Sequence, residues 1–221
     1  MDEELWTKVD DYLIALLAPG DRSLDNALVR SAAADLPSIN VAANQGKLLE
    51  LLAKIRGSRR ILEIGTLGGF STIFLARALP IDGELITLEL EPAHAEVARA
   101  NIEDAGLGSL VDIRIGEAAD SLRDLIAEKA EPFDFIFIDA DKEGYALYLS
   151  LALRLSRRGT VIVADNVIRA GAIVDAHNSD SRVEGVRQFL EMVASDERIE
   201  ATAVQTVGVK GYDGFALLLV N

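Results

Sequence analysis

The hydrophobic positions of this chain change their spacing near residue 58. Before that point, apolar residues recur at helical intervals in three segments, 5–17, 24–34 and 44–56. Pro19 and Gly20 end the first segment, and Gly57 ends the third. The pattern therefore predicts a helical cap over residues 1–57.

Beyond residue 58, short apolar runs alternate with helical segments. Five runs predict strands, at 60–64, 85–90, 110–115, 133–139 and 160–165. Uninterrupted apolar strands that alternate with helices are typical of a doubly wound parallel sheet. A helix near 182–195 precedes two last strand candidates, 199–207 and 214–220. Their connection is too short for a crossover helix, so we expect these two to pair antiparallel.

Composition narrows the class of protein. The chain has 221 residues, of which 50% are hydrophobic, and this is enough for one good core. The absence of cysteine excludes disulfides, thiolate ligands and a cysteine nucleophile. No apolar run approaches the ~20 residues that span a bilayer, and the acidic start is unlike a secretory signal. We expect a cytoplasmic protein without a membrane partner, and the net charge of -14 disfavours nucleic acid.

Carboxylate side chains follow two of the predicted buried strands. Asp139 closes one run, with Lys142 shortly after it, and Asp165 and Asn166 close the next. Neighbouring strands lie about 4.8 Å apart, so these side chains meet if the two strands are adjacent. Oxygen donors favour Mg²⁺, Mn²⁺ or Ca²⁺ over zinc. A lone Asp at a strand end is more often a cap or a turn residue, but capping does not require an Asp-Asn pair there.

A glycine-rich turn leaves the first predicted strand and opens a helix. It runs from Glu63 to Ser71, and Glu89 ends the next strand. Glycines let the backbone approach a ligand, and an acid at the next strand end can hold two ribose hydroxyls. The turn lacks the dinucleotide spacing Gly-x-Gly-x-x-Gly. An acidic entry to the turn suits a ligand with an ammonium and a sulfonium, which points to S-adenosylmethionine.

Taken together, these motifs resemble the magnesium-dependent, S-adenosylmethionine-dependent O-methyltransferases, the family of the catechol and caffeoyl-coenzyme A enzymes and their small bacterial members. The resemblance extends from Ile39 to Phe215. It implies an α/β fold with a Rossmann-like, doubly wound, mostly parallel seven-stranded sheet, an antiparallel last strand and N-terminal helices. It also implies one methyltransferase domain, 1–221, with the helical cap at 1–57 and the Rossmann-like core at 58–221.

Carried over position by position, the family pattern implies roles for particular residues. The metal ligands would be Asp139, Asp165 and Asn166, and Lys142 would be the general base. Glu89 would bind the ribose and Ala118 would lie beside the adenine. The positions near the methionine end of the cofactor would be Val41, Glu63, Gly65, Ser71 and Asp139. The implied cofactors are S-adenosylmethionine and Mg²⁺ or another divalent cation.

The resemblance implies methyl transfer to a hydroxyl of a vicinal-diol phenol of the catechol, hydroxycinnamate or flavonoid type. The alternative is a tRNA hydroxyuridine O-methyltransferase, because some small bacterial members resemble such enzymes and share the motifs. The acidic composition opposes RNA binding. A nicotinamide-dependent oxidoreductase is disfavoured by the missing fingerprint, and a non-catalytic binding module by the intact ligand set and base.

A few residues carry weaker signals. His94 is expected to be structural or solvated, whereas His177 lies in a polar loop, 169–181, that should overhang the metal. Tyr212 is a candidate for the acceptor pocket or a subunit interface. Trp6 and the apolar stripe from Leu5 to Leu17 indicate core or dimer contacts, and we expect a homodimer.

Overall fold

Helices cover both faces of a seven-stranded sheet in the computed structural model, which describes residues 2–221. The helices are α1 (Glu3–Leu17), α2 (Arg22–Ala33), α3 (Ala43–Arg56), α4 (Phe70–Ala76), α5 (Pro92–Asp104), α6 (Ala118–Ala127), α7 (Tyr145–Arg154) and α8 (Ser181–Ser195). The strands are β1 (Arg60–Ile64), β2 (Glu84–Glu89), β3 (Val111–Ile115), β4 (Phe133–Ile138), β5 (Ser156–Asp165), β6 (Ile199–Gly208) and β7 (Gly211–Val220).

The strand order is β3-β2-β1-β4-β5-β7-β6. Strands β1 to β5 run parallel, and β7 is antiparallel to both β5 and β6. The predicted Rossmann-like sheet and the antiparallel pairing of its last two strands are thus confirmed. Strands β4 and β5 are neighbours, with Ile138 opposite Ala164. The carboxyl ends that carry the two predicted acidic turns therefore lie side by side.

Buried strand residues supply two cores, one on each face of the sheet. Phe135 and Phe137 of β4 pack into the core that lies under α2 to α5. Ile136 and Ile138, which alternate with them, pack into the core under α6, α7 and α8. Both faces of this strand are covered, which explains why its apolar run contains no polar alternation.

Three segments depart from the sequence prediction, and one of them is strand β7, which begins at Gly211 instead of residue 214. Strand β5 begins at Ser156 instead of residue 160, because its first residues pair with the start of β4. The segment predicted as a polar loop contains a 3-10 helix, Arg169–Val174, in which Ala170 and Gly171 have positive φ. This segment still lies at the carboxyl edge of the sheet, directly after β5.

Helix α1 turns its apolar side chains outward. Leu16 is 59% exposed and Leu17 is 70% exposed, whereas Asp10 is the buried residue of this helix. The apolar stripe that the sequence predicts is real, but the chain's own core does not cover it. Among residues 2–221, no helix combines the length and apolar character needed to cross a membrane.

Candidate active site

The glycine-rich turn is held against the ends of two strands. The Gly65 amide donates to the carbonyl oxygen of Leu88 at 3.0 Å, and the Asp139 amide donates to that of Ile64 at 2.9 Å. Gly65 has a φ of 100°, and a Cβ atom there would lie 2.0 Å from the Asp139 carbonyl oxygen. Only glycine allows the main chains of β1 and β4 to approach this closely.

Glu63 lies behind this turn and is fully buried. Its carboxylate accepts hydrogen bonds from the hydroxyls of Ser71 at 2.6 Å, Thr72 at 2.5 Å and Thr87 at 2.7 Å. Burial raises the pKa of Glu63 from 4.5 to about 7, and the negative charge of Asp139 adds to the rise. Glu63 thus has no solvent-exposed oxygen, and it contacts the first turn of α4 through the hydroxyls of Ser71 and Thr72.

Glu89 ends β2 and supports the same turn. Its Oε2 atom accepts from the amides of Thr66 at 3.2 Å and Leu67 at 2.7 Å, and its Oε1 atom accepts from the Glu91 amide at 3.0 Å. His94, expected to be structural or solvated, lies with its Nδ1 atom 3.4 Å from Oε1. An ionised carboxylate has about four acceptor sites, so Glu89 orders the turn and retains limited capacity for a ligand.

Two further predicted cofactor positions flank this region. Val41 is buried in the segment before α3, and its carbonyl oxygen accepts from the Asn40 side chain at 3.0 Å. Ala118 is the first residue of α6 and follows the turn in which the Gly116 amide donates to the Glu89 carbonyl oxygen at 2.9 Å. Val41 therefore lies in the segment that enters α3, and Ala118 lies at the start of α6 beside the end of β2.

Asp139 and Lys142 meet at the end of β4. The Lys142 ammonium is buried and donates to Asp139 Oδ1 at 2.9 Å, to the Ala140 carbonyl oxygen at 3.1 Å and to the Tyr145 hydroxyl at 2.7 Å. Tyr145 in turn donates to the carbonyl oxygens of Ile138 and Asp165, at 3.1 Å and 2.9 Å. Tyr145 is fully buried and ties the ends of β4 and β5 together, so the lysine nitrogen has a fixed position.

Asp165 completes the acidic cluster. Its Oδ1 atom accepts from the Asn166 amide at 2.8 Å, and its Oδ2 atom accepts from Gln45 Nε2 at 2.6 Å. Burial, together with the negative charge of Asp139, raises the pKa of Asp165 from 3.8 to about 7. The Asp139 carboxylate is therefore close enough to disfavour the ionised form of Asp165.

The donor set of this cluster fits a small hard cation. Asp139 and Asp165 supply carboxylate oxygens at adjacent strand ends, and Asn166, which has a φ of 59°, follows directly with an amide oxygen. The described part of the chain contains no group of three His, Cys, Asp or Glu side chains arranged around a metal position. Two carboxylates and one amide would leave several coordination positions open, as Mg²⁺ commonly requires for substrate and water.

A cavity of about 240 Å³ opens beside Asp165 and Asn166. One wall comes from the start of α3, with Asn44 and Gln45, and the opposite wall comes from the tip of the β6–β7 hairpin. Asp10 of α1 joins these walls, because it accepts from Asn44 Nδ2 at 2.8 Å and from the Val209 amide at 2.8 Å. The cavity therefore lies between α3 and the hairpin, directly beside the strand-end acid Asp165.

Sequence reasoning missed several residues of this cluster. Gln45 and Asp10 lie far from the acidic turns in sequence, and no motif distinguishes them from ordinary polar helix residues. Tyr145 lies only three residues after Lys142, but nothing in the local pattern shows that its hydroxyl contacts the ends of both β4 and β5. Two weak candidates also have positions in the structure. Tyr212 packs near Gly171 and its hydroxyl bonds to the Gln205 side chain, while His177 is exposed in the loop before α8.

Comparisons with known proteins agree on one family. A family model described as O-methyltransferase matches residues 21–219. The chain is 51% identical over 221 residues to a catechol O-methyltransferase of Niastella koreensis, and the match covers 100% of both chains. An O-methyltransferase from Bacillus cereus in complex with SAH has 53% identity and a TM-score of 0.97, with 99% of each chain covered.

A third relative extends this agreement. TomG from Streptomyces achromogenes, an O-methyltransferase involved in tomaymycin synthesis and solved in complex with SAM, is 48% identical. Its TM-score is 0.97, and the match covers 100% of this chain and 99% of that one. The glycine-rich turn, the strand-end acids and these full-length similarities lead to one conclusion. The chain belongs to the O-methyltransferase family.

Proposed function

We propose that this enzyme transfers the methyl group of S-adenosylmethionine to a hydroxyl of a vicinal-diol phenol, with the help of a divalent cation. The relatives support both substrates, since one is named a catechol O-methyltransferase and two are solved with SAH or SAM. The cofactor positions would be Val41, Glu63, Gly65, Ser71, Glu89, Ala118 and Asp139.

One observation carries the proposal. Asp139, Asp165 and the Lys142 ammonium converge at the adjacent carboxyl ends of β4 and β5, next to the glycine-rich turn and beside a cavity. Ligands of open α/β sheets bind outside the carboxyl ends of the strands, where the strand order reverses. Here that point lies between β1 and β4. A methyl donor at the turn and an acceptor in the cavity would meet across Asp139.

Asp139, Asp165 and Asn166 are the residues that would hold the cation. When bound, it would supply Lewis-acid stabilisation of a phenolate and a template that orients two vicinal oxygens. A free phenol titrates near 10 and is mostly protonated at neutral pH. The acceptor hydroxyl therefore needs stabilisation of its phenolate form before it can attack the methyl group. Gln45 keeps Asp165 in position from the α3 side, with its Nε2 atom 2.6 Å from Oδ2.

Lys142 is the residue that would take the proton of the acceptor hydroxyl. To accept it, the Lys142 ammonium must first release one of its own protons to solvent. The Ala140 carbonyl oxygen and the Tyr145 hydroxyl hold the Lys142 nitrogen in place, at 3.1 Å and 2.7 Å. General-base catalysis contributes about 10²–10⁴ in rate. We therefore expect Lys142→Ala to lower kcat by about 10², with the affinity for S-adenosylmethionine unchanged in calorimetry. An unchanged kcat would remove lysine from the mechanism.

The decisive experiment is methyl transfer from labelled S-adenosylmethionine to catechols, hydroxycinnamates, flavonoids and bulk tRNA, first with Mg²⁺ and then with excess chelator. We expect transfer to the small diphenols and its loss with chelator. Transfer to tRNA alone would overturn the acceptor class, and activity that is insensitive to chelator would overturn the role of the cation. The net charge of -14 is the reason to expect no transfer to RNA.

We also propose that the enzyme is a homodimer. The outward apolar side chains of α1 support this, since Leu5 is 53% exposed and Leu16 is 59% exposed. A contiguous apolar face of this kind usually marks a protein interface. Light scattering during size-exclusion chromatography should give twice the mass of the chain, and Leu16→Glu should shift the population toward the monomer.

A further inference from the structure

The tip of the β6–β7 hairpin extends beyond the sheet and over the acceptor cavity. Phe215 of β7 pairs with Asp165, and the hairpin continues for five more residues to Lys210 at the turn. At about 3.4 Å per residue, this places the turn about 17 Å beyond the pairing of Phe215 with Asp165. The turn therefore forms the part of the cavity wall farthest from the strand ends.

Lys210 is the one cationic side chain among the described residues that line the cavity. Its ammonium donates to the carbonyl oxygen of Ser38 at 3.3 Å, and no ion pair to it occurs within residues 2–221. Partial desolvation lowers the pKa of Lys210. An ammonium with one long hydrogen bond has donors left for a ligand.

The carboxylates around the cavity do not compete strongly for Lys210. Asp10 accepts from Asn44 and Val209, and Asp165 accepts from Gln45 and its neighbouring amide. Asp213 accepts from three main-chain amides, each at 3.0 Å. These acids already have partners within the protein, so the cation at the cavity mouth is available to an anion from outside.

We infer that Lys210 selects the acceptor by binding a carboxylate at the end of the phenol opposite its vicinal hydroxyls. This inference rests on the proposed function and narrows it to acidic catechols. An N⁺–H···O⁻ contact is about twice as strong as a neutral hydrogen bond, and a neutral ester or amide at the same place would lose that advantage.

The distance across the cavity favours a long acid. Along the extended hairpin the Lys210 main chain lies about 17 Å from the strand ends, so a lysine side chain that leans back toward them still leaves a gap on the order of 10 Å. A carboxylate attached directly to the ring is too close to the hydroxyls to bridge this gap. A propenoate arm lengthens the molecule, so a dihydroxycinnamate should fit better than a dihydroxybenzoate.

The test compares acceptors that differ in charge or length. Caffeic acid, methyl caffeate and protocatechuic acid are assayed with the wild type, Lys210→Ala, Lys210→Arg and Lys129→Ala. Lys129 is an exposed lysine at the end of α6, outside the cavity, and controls for the loss of one positive charge. We expect the acid-to-ester ratio of kcat/KM to fall about tenfold in Lys210→Ala, mainly through KM. Lys210→Arg should restore the ratio and Lys129→Ala should not alter it.

Two outcomes separate this inference from the proposed function. An identical acid-to-ester ratio in the wild type and in Lys210→Ala would overturn the role of Lys210 while leaving methyl transfer to catechols intact. Absence of transfer to every phenol would overturn the proposed function. In that case, calorimetric titration of caffeic acid and methyl caffeate into the SAH-bound protein decides the role of Lys210: equal affinities refute it, and an affinity for the acid that is lost in Lys210→Ala supports it.

Discussion

The acids at the strand ends and the tip of the β6–β7 hairpin form two parts of the candidate site, and their side chains are held in place in different ways. Glu63, Glu89 and Asp165 are buried, and each accepts two or more hydrogen bonds from neighbouring elements. In the hairpin wall, Lys210 has one long contact and β6 is exposed along most of its length. The proposed reacting groups are therefore held by the core, while the proposed acceptor surface on the hairpin can change without disturbing that core.

The largest expected effect separates two acids in the same turn. Asp139→Ala should abolish methyl transfer, at least about a thousandfold, because it removes a proposed metal ligand and the anion that binds Lys142. Asp141→Ala is the matched control, since Asp141 turns away to Tyr148 and to the Gly144 amide. The measurement is the initial rate with saturating Mg²⁺. Equal losses in both variants would contradict the assignment.

The second prediction compares two glycines with positive φ. Gly65→Ala should cost about 3–4 kcal/mol of unfolding free energy, since the new Cβ would meet the Asp139 carbonyl and strain would add to the steric conflict. A Cβ atom at Gly57 would meet open space, so Gly57→Ala should cost only about 1 kcal/mol of unfolding free energy. Urea denaturation measures the unfolding free energy of both variants. Similar values for the two variants would show that the strand ends are not closely packed.

The third prediction concerns the pH dependence of stability. The pKa of Glu63 is raised from 4.5 to about 7, so the folded state favours its protonated form. Its contribution to stability is fully present below about pH 4.5 and is lost as the pH rises through about 7, which amounts to about 3 kcal/mol. Glu63→Gln should therefore reduce the loss of stability between pH 5 and pH 8.

Chemical denaturation at several pH values tests this prediction, with Glu96→Gln as the control. Glu96 is exposed on α5, so its replacement should leave the pH profile as it is in the wild type. A Glu63→Gln profile that is parallel to that of the wild type would show that this carboxyl is not the source of the pH dependence. Asp165, whose pKa is also raised, should keep part of the dependence in the variant.

The smallest effect on activity and stability is expected at Asp10, which joins the two walls of the cavity. Asp10→Asn keeps the shape of the side chain but replaces one acceptor by a donor, so the contact with Asn44 or with the Val209 amide is lost. We expect about 1 kcal/mol of lost stability and a few-fold rise in the KM of the acceptor, with an unchanged affinity for S-adenosylmethionine. A larger change in the affinity for S-adenosylmethionine than in the KM of the acceptor would contradict the distinction between the strand-end acids and the cavity wall.

Much of the fold followed from local patterns. The run 135–138, which became most of β4, was uninterrupted and apolar, and the structure buries it on both faces of the sheet. The adjacency of β4 and β5 was a condition of the predicted metal site, and it is confirmed. The roles of Asp139, Asp165 and Asn166 stay predictions, and the experiments with chelator and variants test them.

Other parts of the site could not be predicted from local patterns. Gln45 reaches Asp165 across 120 positions of the chain, and Asp10 reaches Val209 across 199. The spacing of apolar residues does not predict such contacts, because they depend on how α1, α3 and the β6–β7 hairpin pack against one another. The start of β5 was placed too late for a similar reason, since pairing with β4 extended a strand whose first residues are polar.

The sequence by itself determined the α/β class, the glycine-rich turn and the acids at the strand ends. These features are local: apolar spacing sets each element, and a strand that is buried on both faces carries its polar groups at its end. Tertiary structure alone decided which polar groups line the cavity, where Lys210 lies and which face of α1 stays exposed to solvent. These features depend on contacts between segments that are distant in the chain, and a local amino-acid pattern does not reveal such contacts.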